Sequence, residues 1–233
     1  MKKTFRRVYK FLKNRYTPRG AQISFSQSGE DIIISEALKV FNINQPSYID
    51  IGGHHPIFGN NTYLLYKQGC RGVIVEPNTK LQNEYSVKRS RDTFIIAGAG
   101  GYDSEQNFYS FERSTRNTFS KEQADEWTAA SGQKPQIETL SILSLNTIIS
   151  KYFLGKAPSL VTIDAEGLDF EILNGFDWST KPSVLCIETL NHAEYKTGSI
   201  TRNQNIYNLL RSKGYIVFAE TPANTIFIDT IKK

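Results

Sequence analysis

The sequence predicts an α/β fold: a mostly parallel sheet that finishes in an antiparallel hairpin. Three observations predict it. From residue 48 onward, short apolar runs alternate with stretches of helical periodicity. The runs are continuous rather than every second residue, so those strands need cover on both faces, as parallel strands flanked by crossover helices have. The last two runs, Tyr215–Glu220 and Thr225–Asp229, are separated by only a few residues around Pro222-Ala223-Asn224. Only antiparallel strands can be joined by so tight a turn.

At 233 residues the chain suits one α/β domain with embellishments. Residues 1–20 read as a basic amphipathic extension and residues 21–233 as the domain. Phe5, Val8, Tyr9, Leu12 and Tyr16 recur at helical spacing among Lys and Arg, and Pro18-Arg19-Gly20 ends the pattern. Ser26–Val40 reads as a helix with Ser28 as its cap, Glu30 and Asp31 near its positive end, and Ile33, Ile34, Ala37, Leu38 and Phe41 facing inward. Tyr48–Ile51 is a strand that turns out at Gly52-Gly53. Asn60 or Asn61 can cap a short helix over Thr62–Gln68, which Gly69 ends. Gly72–Glu76 is a strand stopped by Pro77, Thr79–Ser90 a helix and Thr93–Ala97 a third strand. Residues 98–139 depart from the rhythm. Asn107–Phe111 alternates like an exposed strand, and the polar stretch Gln123–Pro135 reads as an excursion, so this region is expected to be an insertion or acceptor lid. Its aromatics (Phe108, Tyr109, Phe111, Phe119, Trp127) either stack on sugar rings or form a small satellite core. Alternation then resumes with a helix at Ser144–Tyr152, a strand at Ser159–Asp164, a helix at Asp169–Leu173, a strand at Ser183–Glu188 and a helix at Arg202–Ser212.

The charge is uneven. Residues 1–19 hold eight Lys or Arg and no acid, leaving 20 bases against 23 acids in the remainder. The body is therefore mildly acidic, and nucleic acid is not the expected partner. No run of 18 apolar residues occurs, and no apolar segment with a cleavage site follows the basic start. Neither a membrane span nor a secretory signal is expected. The basic stripe could lie on an anionic membrane surface; the plainer reading is a solvated helix packing one face on the domain, or a frayed tail. Cys70 and Cys186 sit in or beside apolar runs without CxxC spacing, and are expected to be free core thiols. A cytoplasmic location, peripheral to the inner membrane face, is the corresponding expectation.

Four strands carry an acid at or near the carboxyl end: Asp50, Glu76, Asp164 and Glu188. Ligands of open α/β sheets bind at that edge, and carboxylates there are costly without partners. Gly52 and Gly53 let a ligand approach the backbone. Glu76, 26 residues past Asp50, can take both hydroxyls of a ribose, with Pro77 beside it. The full GxGxxG is missing, so a pyrophosphate is not expected. A nucleoside without phosphates, such as S-adenosylmethionine, fits better.

The segments Phe25-Ser-Gln-Ser-Gly-Glu-Asp31, Tyr48-Ile-Asp-Ile-Gly-Gly-His-His-Pro56, Asn61-Thr-Tyr-Leu-Leu-Tyr-Lys67, Gly72-Val-Ile-Val-Glu-Pro77, Asp164-Ala-Glu-Gly167 and Ile187-Glu188 together resemble the FkbM methyltransferases. The resemblance spans residues 25–190. It implies a Rossmann-like class I methyltransferase fold with a seven-stranded sheet, and transfer of a methyl group from S-adenosylmethionine to hydroxyls of sugars, glycans or glycosylated metabolites. It implies Asp50, Gly52 and Glu76 as cofactor contacts. Gly53, where many members carry alanine, and Ala165 depart from the pattern.

Methyl transfer needs the acceptor oxygen in line with the sulfonium methyl, and the hydroxyl proton needs a base or a metal. Asp164 and Glu188, on strands expected to be neighbours, can share a Mg²⁺. His192, four residues past Glu188, is the best single base candidate. His54 and His55 sit in the loop after the first strand, one shaping the pocket and the other capping the next turn. Glu166 contacts the methionyl amine, supports Asp164, or simply begins the helix at 168–173. Gln27 or Glu30 can line the pocket from the preceding helix, or cap that helix. Two alternatives compete: an RNA methyltransferase using the basic arm, and a non-catalytic S-adenosylmethionine-binding protein.

Overall fold

The computed structural model describes residues 20–165, 167–191 and 201–230. In chain order its strands are β1 (Ser47–Ile51), β2 (Arg71–Val75), β3 (Thr93–Ile95), β4 (Gly98–Gly100), β5 (Ser104–Ser110), β6 (Gln136–Ser144), β7 (Leu160–Ile163), β8 (Val184–Glu188), β9 (Tyr215–Glu220) and β10 (Asn224–Asp229). Seven of them form one sheet in the order β3-β2-β1-β7-β8-β10-β9. β3, β2, β1, β7 and β8 are mutually parallel, and β10 runs antiparallel between β8 and β9. This is the mostly parallel seven-stranded sheet with a closing hairpin of a class I methyltransferase fold. The chain steps outward from β1 to β3 and returns to β7 on the other side of β1. The order therefore reverses at β1, and that reversal opens a crevice at the carboxyl ends of β1 and β7.

Continuous apolar strands are stable here because helices cover both faces. On one face Ile49, Ile51, Val73, Val75, Val161, Ile163, Leu185 and Ile187 pack with α5 (Leu145–Phe153), α6 (Asp169–Asn174) and α7 (Gln204–Ser212). On the other, Tyr48, Ile74, Leu160, Val184, Cys186 and Ile226 pack with α1 (Glu30–Val40), α2 (Tyr63–Lys67) and α3 (Gln82–Lys88). Each fully buried aliphatic side chain contributes roughly 1.5–3 kcal/mol. Asp50, between Ile49 and Ile51, shares the second face, as does Glu188, two residues from Cys186.

Three departures from the sequence reading stand out. α1 starts at Glu30, not Ser26, and Ser28 does not cap it. Gly29 occupies the N-cap in the left-handed region at φ 90°, and Ser26 Oγ accepts from the Gly29 and Asp31 N–H groups at 3.1 and 3.3 Å. That local bonding turns the backbone before the helix can begin. Ile33 and Phe41 are only partly buried. The expected helix over 79–90 divides into a 3₁₀ turn (Thr79–Leu81) and α3, because the Asn78 side chain accepts from the Lys80 N–H and tightens the first turn. The third strand stops at Ile95.

The stretch that departs from the rhythm has structure of its own. β6 pairs parallel with β4 and antiparallel with β5 in a second, three-stranded sheet. Helix α4 (Lys121–Ser131) spans most of what reads as a polar excursion. It is capped by Ser120 Oγ and ended by Gly132 at φ 70°. Ser144 closes β6 and caps α5, accepting from the Thr147 N–H at 3.2 Å.

Candidate active site

The crevice holds a cavity of ≈ 580 Å³, within the size range of small-molecule sites. Its floor is the carboxyl edge of the large sheet: Ile51 at the end of β1 and Gly52 after it, Glu76 and Pro77 after β2, and Asp164 and Ala165 after β7. Its opposite wall comes from the second sheet and the segment after it, with Gln106, Phe108, Ser114, Thr115 and Asn117–Ser120. Gln27 and the loop residues His54, Phe58 and Gly59 also line it, as do Val75, Ala97–Ala99 and Leu168. Among the described residues no lysine or arginine lines it.

Glu76 is the carboxylate that the fold builds into this floor. It is 6% exposed. Oε2 accepts from the His54 N–H and Oε1 from the Asn78 N–H, each at 2.9 Å. Two backbone donors thus fix the carboxylate plane and leave lone pairs for a ligand. Burial pushes its pKa above the usual carboxyl range, making it a weaker acid. The two N–H groups oppose this, and the charge of Asp50 adds to it.

Asp50 has a different station. It is buried, and its carboxylate accepts from Thr162 Oγ1 at 2.6 Å, Thr62 Oγ1 at 2.6 Å and Asn60 Nδ2 at 3.3 Å. Asn60 Nδ2 also donates to the Gly53 carbonyl, as does Tyr85 Oη, both at 2.9 Å. Asp50 does not line the cavity; it ties β1 to β7 and to the far end of the 52–62 loop. Gly52 sits at φ 75°, and a Cβ there would fall 1.9 Å from the Asp164 carbonyl. The glycine is required by the close passage of β1 and β7. Gly53 faces Ile74 Cγ2, which a Cβ would approach to 2.6 Å, so it also serves packing rather than the cavity.

Of the other sequence candidates, Gln27, Pro77 and Asp164 line the cavity. Glu30 does not. It is fully buried under the hairpin turn, where Oε1 accepts from Thr221 Oγ1 at 2.7 Å and Asn224 Nδ2 at 3.3 Å. Burial pushes its pKa up, but the Thr221 hydroxyl and backbone N–H groups outweigh that, so its carboxyl pKa lies below the usual range. Glu188 ends β8 next to β7 and opposite Asn224, and it is not part of the cavity lining. His192 and Glu166 lie outside the described residues. Among the described residues no cluster of three or more His, Cys, Asp or Glu could hold a metal ion. The Mg²⁺ expected between Asp164 and Glu188 has no such cluster around it, and only Asp164 of the pair lines the cavity.

The two histidines of the loop divide their work. His54 lines the cavity, and its Nε2 lies 3.2 Å from Ser114 Oγ, joining the loop after β1 to the opposite wall. His55 Nδ1 accepts from the Ile57 and Phe58 N–H groups at 3.1 and 3.0 Å, so it caps the turn. The aromatics of the second sheet divide as well. Tyr109, Phe111 and Trp127 form a satellite core around Ala124, while Phe108 and Phe119 face the cavity. Cys186 is fully buried and its thiol is pushed well above the usual range by burial, with Glu30, Asp50 and Asp164 adding to the effect. It is a core thiol, not a nucleophile.

Sequence reasoning placed the acceptor wall within 98–139 and named Phe119, but missed Phe58, the polar wall residues Ser114, Thr115 and Asn117, and the buried support around Arg89. Arg89 is 1% exposed and donates to Asp92 at 2.7 Å, Asn60 Oδ1 at 2.8 Å, Thr62 Oγ1 at 2.9 Å and Tyr48 Oη at 3.1 Å. It braces Asn60 and Thr62, two of the three side chains that hold Asp50. An arginine at a helix end among Lys and Ser gives no signal of burial.

The methyltransferase FkbM domain model matches residues 50–217. No curated protein matches the chain significantly. Among solved structures, a precorrin-6y C5,15-methyltransferase from Geobacter metallireducens is similar at 12% identity and TM-score 0.44, over 92% of this chain and 94% of that one. A TehB-like SAM-dependent methyltransferase from Corynebacterium glutamicum is similar at 9% identity and TM-score 0.44, over 98% and 97%. A 1,6-didemethyltoxoflavin-N1-methyltransferase from Burkholderia thailandensis, solved with S-adenosylhomocysteine, is similar at 11% identity and TM-score 0.42, over 97% and 84%.

Proposed function

This chain belongs to the FkbM methyltransferase domain family, and on that footing we propose that it transfers a methyl group from S-adenosylmethionine to a hydroxyl of a saccharide or glycosylated metabolite. One observation carries the reading. The cavity at the strand-order reversal has a buried carboxylate on its floor and a neutral wall of hydroxyls, amides and phenylalanines opposite it.

The floor fits the cofactor. Glu76, fixed by two backbone N–H groups, suits the paired hydroxyls of a ribose. The lack of lysine and arginine among the described lining residues suits a nucleoside without phosphates. When bound, S-adenosylmethionine supplies an electrophilic methyl on a sulfonium.

The wall fits the acceptor. Ser114, Thr115, Asn117 and Gln106 offer uncharged donors and acceptors for hydroxyls, and Phe108 and Phe119 offer apolar faces. Asp164 lies on the floor between the two halves and is our candidate to orient the acceptor hydroxyl and take its proton. His192 is the second candidate base. As the oxygen–carbon bond forms and the carbon–sulfur bond breaks, the hydroxyl proton passes to that base. Alignment of hydroxyl and methyl is the larger contribution expected of the protein.

The test is transfer of labelled methyl from S-adenosylmethionine to a panel of methyl glycosides and oligosaccharides. Label in a base-stable ether of a sugar supports the reading. Label appearing only on nitrogen or carbon acceptors overturns the hydroxyl assignment. Replacement of Asp164 by Asn should lower kcat by about 100-fold or more if it is the base; unchanged kcat transfers that role to His192.

A further inference from the structure

We infer that Phe58 is a stacking face for the acceptor ring and that His55 is the positioning residue that holds it there; the inference rests on the saccharide reading above. Phe58 lines the cavity yet is 69% exposed. A large exposed ring on a loop would ordinarily be free to change rotamer. This one is held from two sides. Its backbone N–H donates to His55 Nδ1 at 3.0 Å, and its ring stacks on the imidazole with centroids 4.9 Å apart and planes 28° apart. The Ile57 N–H donates to the same nitrogen at 3.1 Å. One imidazole thus fixes both the backbone and the ring of an exposed phenylalanine at the mouth of the site. The outer face of the ring points its negative π-cloud away from His55, and the C–H-rich face of a pyranose is the complementary surface. His54, joined to Ser114 across the cavity, sets the distance to the hydroxyl-bearing wall.

The geometry also gives the device a pH dependence. Nδ1 accepts two N–H groups, so it carries no proton, and in the neutral ring the proton sits on Nε2. Nε2 faces Glu84 at 3.5 Å. Burial lowers the basicity of His55 below the usual 6.5, Lys88 and His54 push the same way, and Glu84 opposes them. The loop is intact at neutral pH. It loses both bonds as pH falls and Nδ1 becomes a donor facing two donors.

The test uses the full chain, with methyl glycosides as probes and S-adenosylmethionine at saturation. Phe58→Ala should raise KM for the preferred glycoside by about 10-fold, with kcat and cofactor affinity little changed, and Phe58→Tyr should restore it. His55→Asn keeps an acceptor for the two N–H groups but loses the stacked ring; His55→Phe keeps the ring and loses the acceptor. Both should raise KM, and the acid rise in KM expected of wild type should vanish in the Asn variant. An unchanged KM in Phe58→Ala overturns the inference and leaves the sugar reading standing. A wild type that binds the cofactor and methylates no glycoside overturns both.

Discussion

Glu76 carries the cofactor half of the site, and two predictions follow from its surroundings. Glu76→Ala should weaken S-adenosylmethionine by about 100-fold or more, since two charge-assisted hydrogen bonds of about 1.5–3 kcal/mol each are lost. The same change orphans the His54 and Asn78 N–H groups, so its stability should fall by about 1–3 kcal/mol, measured by denaturant titration. Because burial raises the carboxyl above its usual 4.5, the folded state holds that proton more tightly than the unfolded chain. Its ionisation thus costs stability as pH rises, and the charged form needed for the ribose is lost earlier on acidification. Cofactor affinity should begin to fall at a pH above 4.5; a decline starting only below that would contradict the assignment. At this scale the sequence was partly legible. The acid at the end of each strand could be seen, but not which way its oxygens turn. Asp50 and Glu76 look alike in the chain, yet Asp50 meets Thr162 on the next strand and Thr62 at the start of α2, while Glu76 meets only backbone N–H groups. Those partners lie 12 and 112 residues away from Asp50, beyond any local pattern.

Elements that obey one clear period were legible, and those that do not were missed. The parallel strands and the hairpin follow from continuous apolar runs and a tight turn. β6 was missed because its first residues are exposed on both faces and only Ile142 and Ser144 in its last turn toward the core are buried. α4 was missed because only Ala124 is buried along it, leaving no apolar stripe to read. α3 was read as a helix, but not as the support it is. Its C-terminal Arg89 enters the core with Asp92 and braces Asn60 and Thr62. Arg89→Leu should destabilise the domain by about 3–5 kcal/mol, because Asp92 would be left buried without its partner. The double replacement Arg89→Leu with Asp92→Asn should recover part of that loss in a denaturant titration. No recovery would mean that the bonds to Asn60 and Thr62 dominate.

Across the whole molecule, the order β3-β2-β1-β7-β8-β10-β9 decides where chemistry can happen, by opening the sheet at β1 and placing a second sheet over the gap. The class of fold was legible because the strand–helix rhythm and the final hairpin leave few topologies. The acceptor was not, because the wall that meets it comes from the irregular region. No helix among the described residues is long and apolar enough to cross a membrane. Residues 1–19 lie outside the described residues, and we propose that their basic stripe meets anionic lipid. Deleting them should abolish co-sedimentation with phosphatidylserine vesicles and leave cofactor affinity unchanged; a wild type that never sediments removes the idea. The central claim is that the cavity over Glu76 is an S-adenosylmethionine site, and isothermal titration tests it most directly. One site with micromolar affinity for S-adenosylmethionine, and no heat with NADH, is the result predicted; binding of NADH with none of S-adenosylmethionine would contradict it.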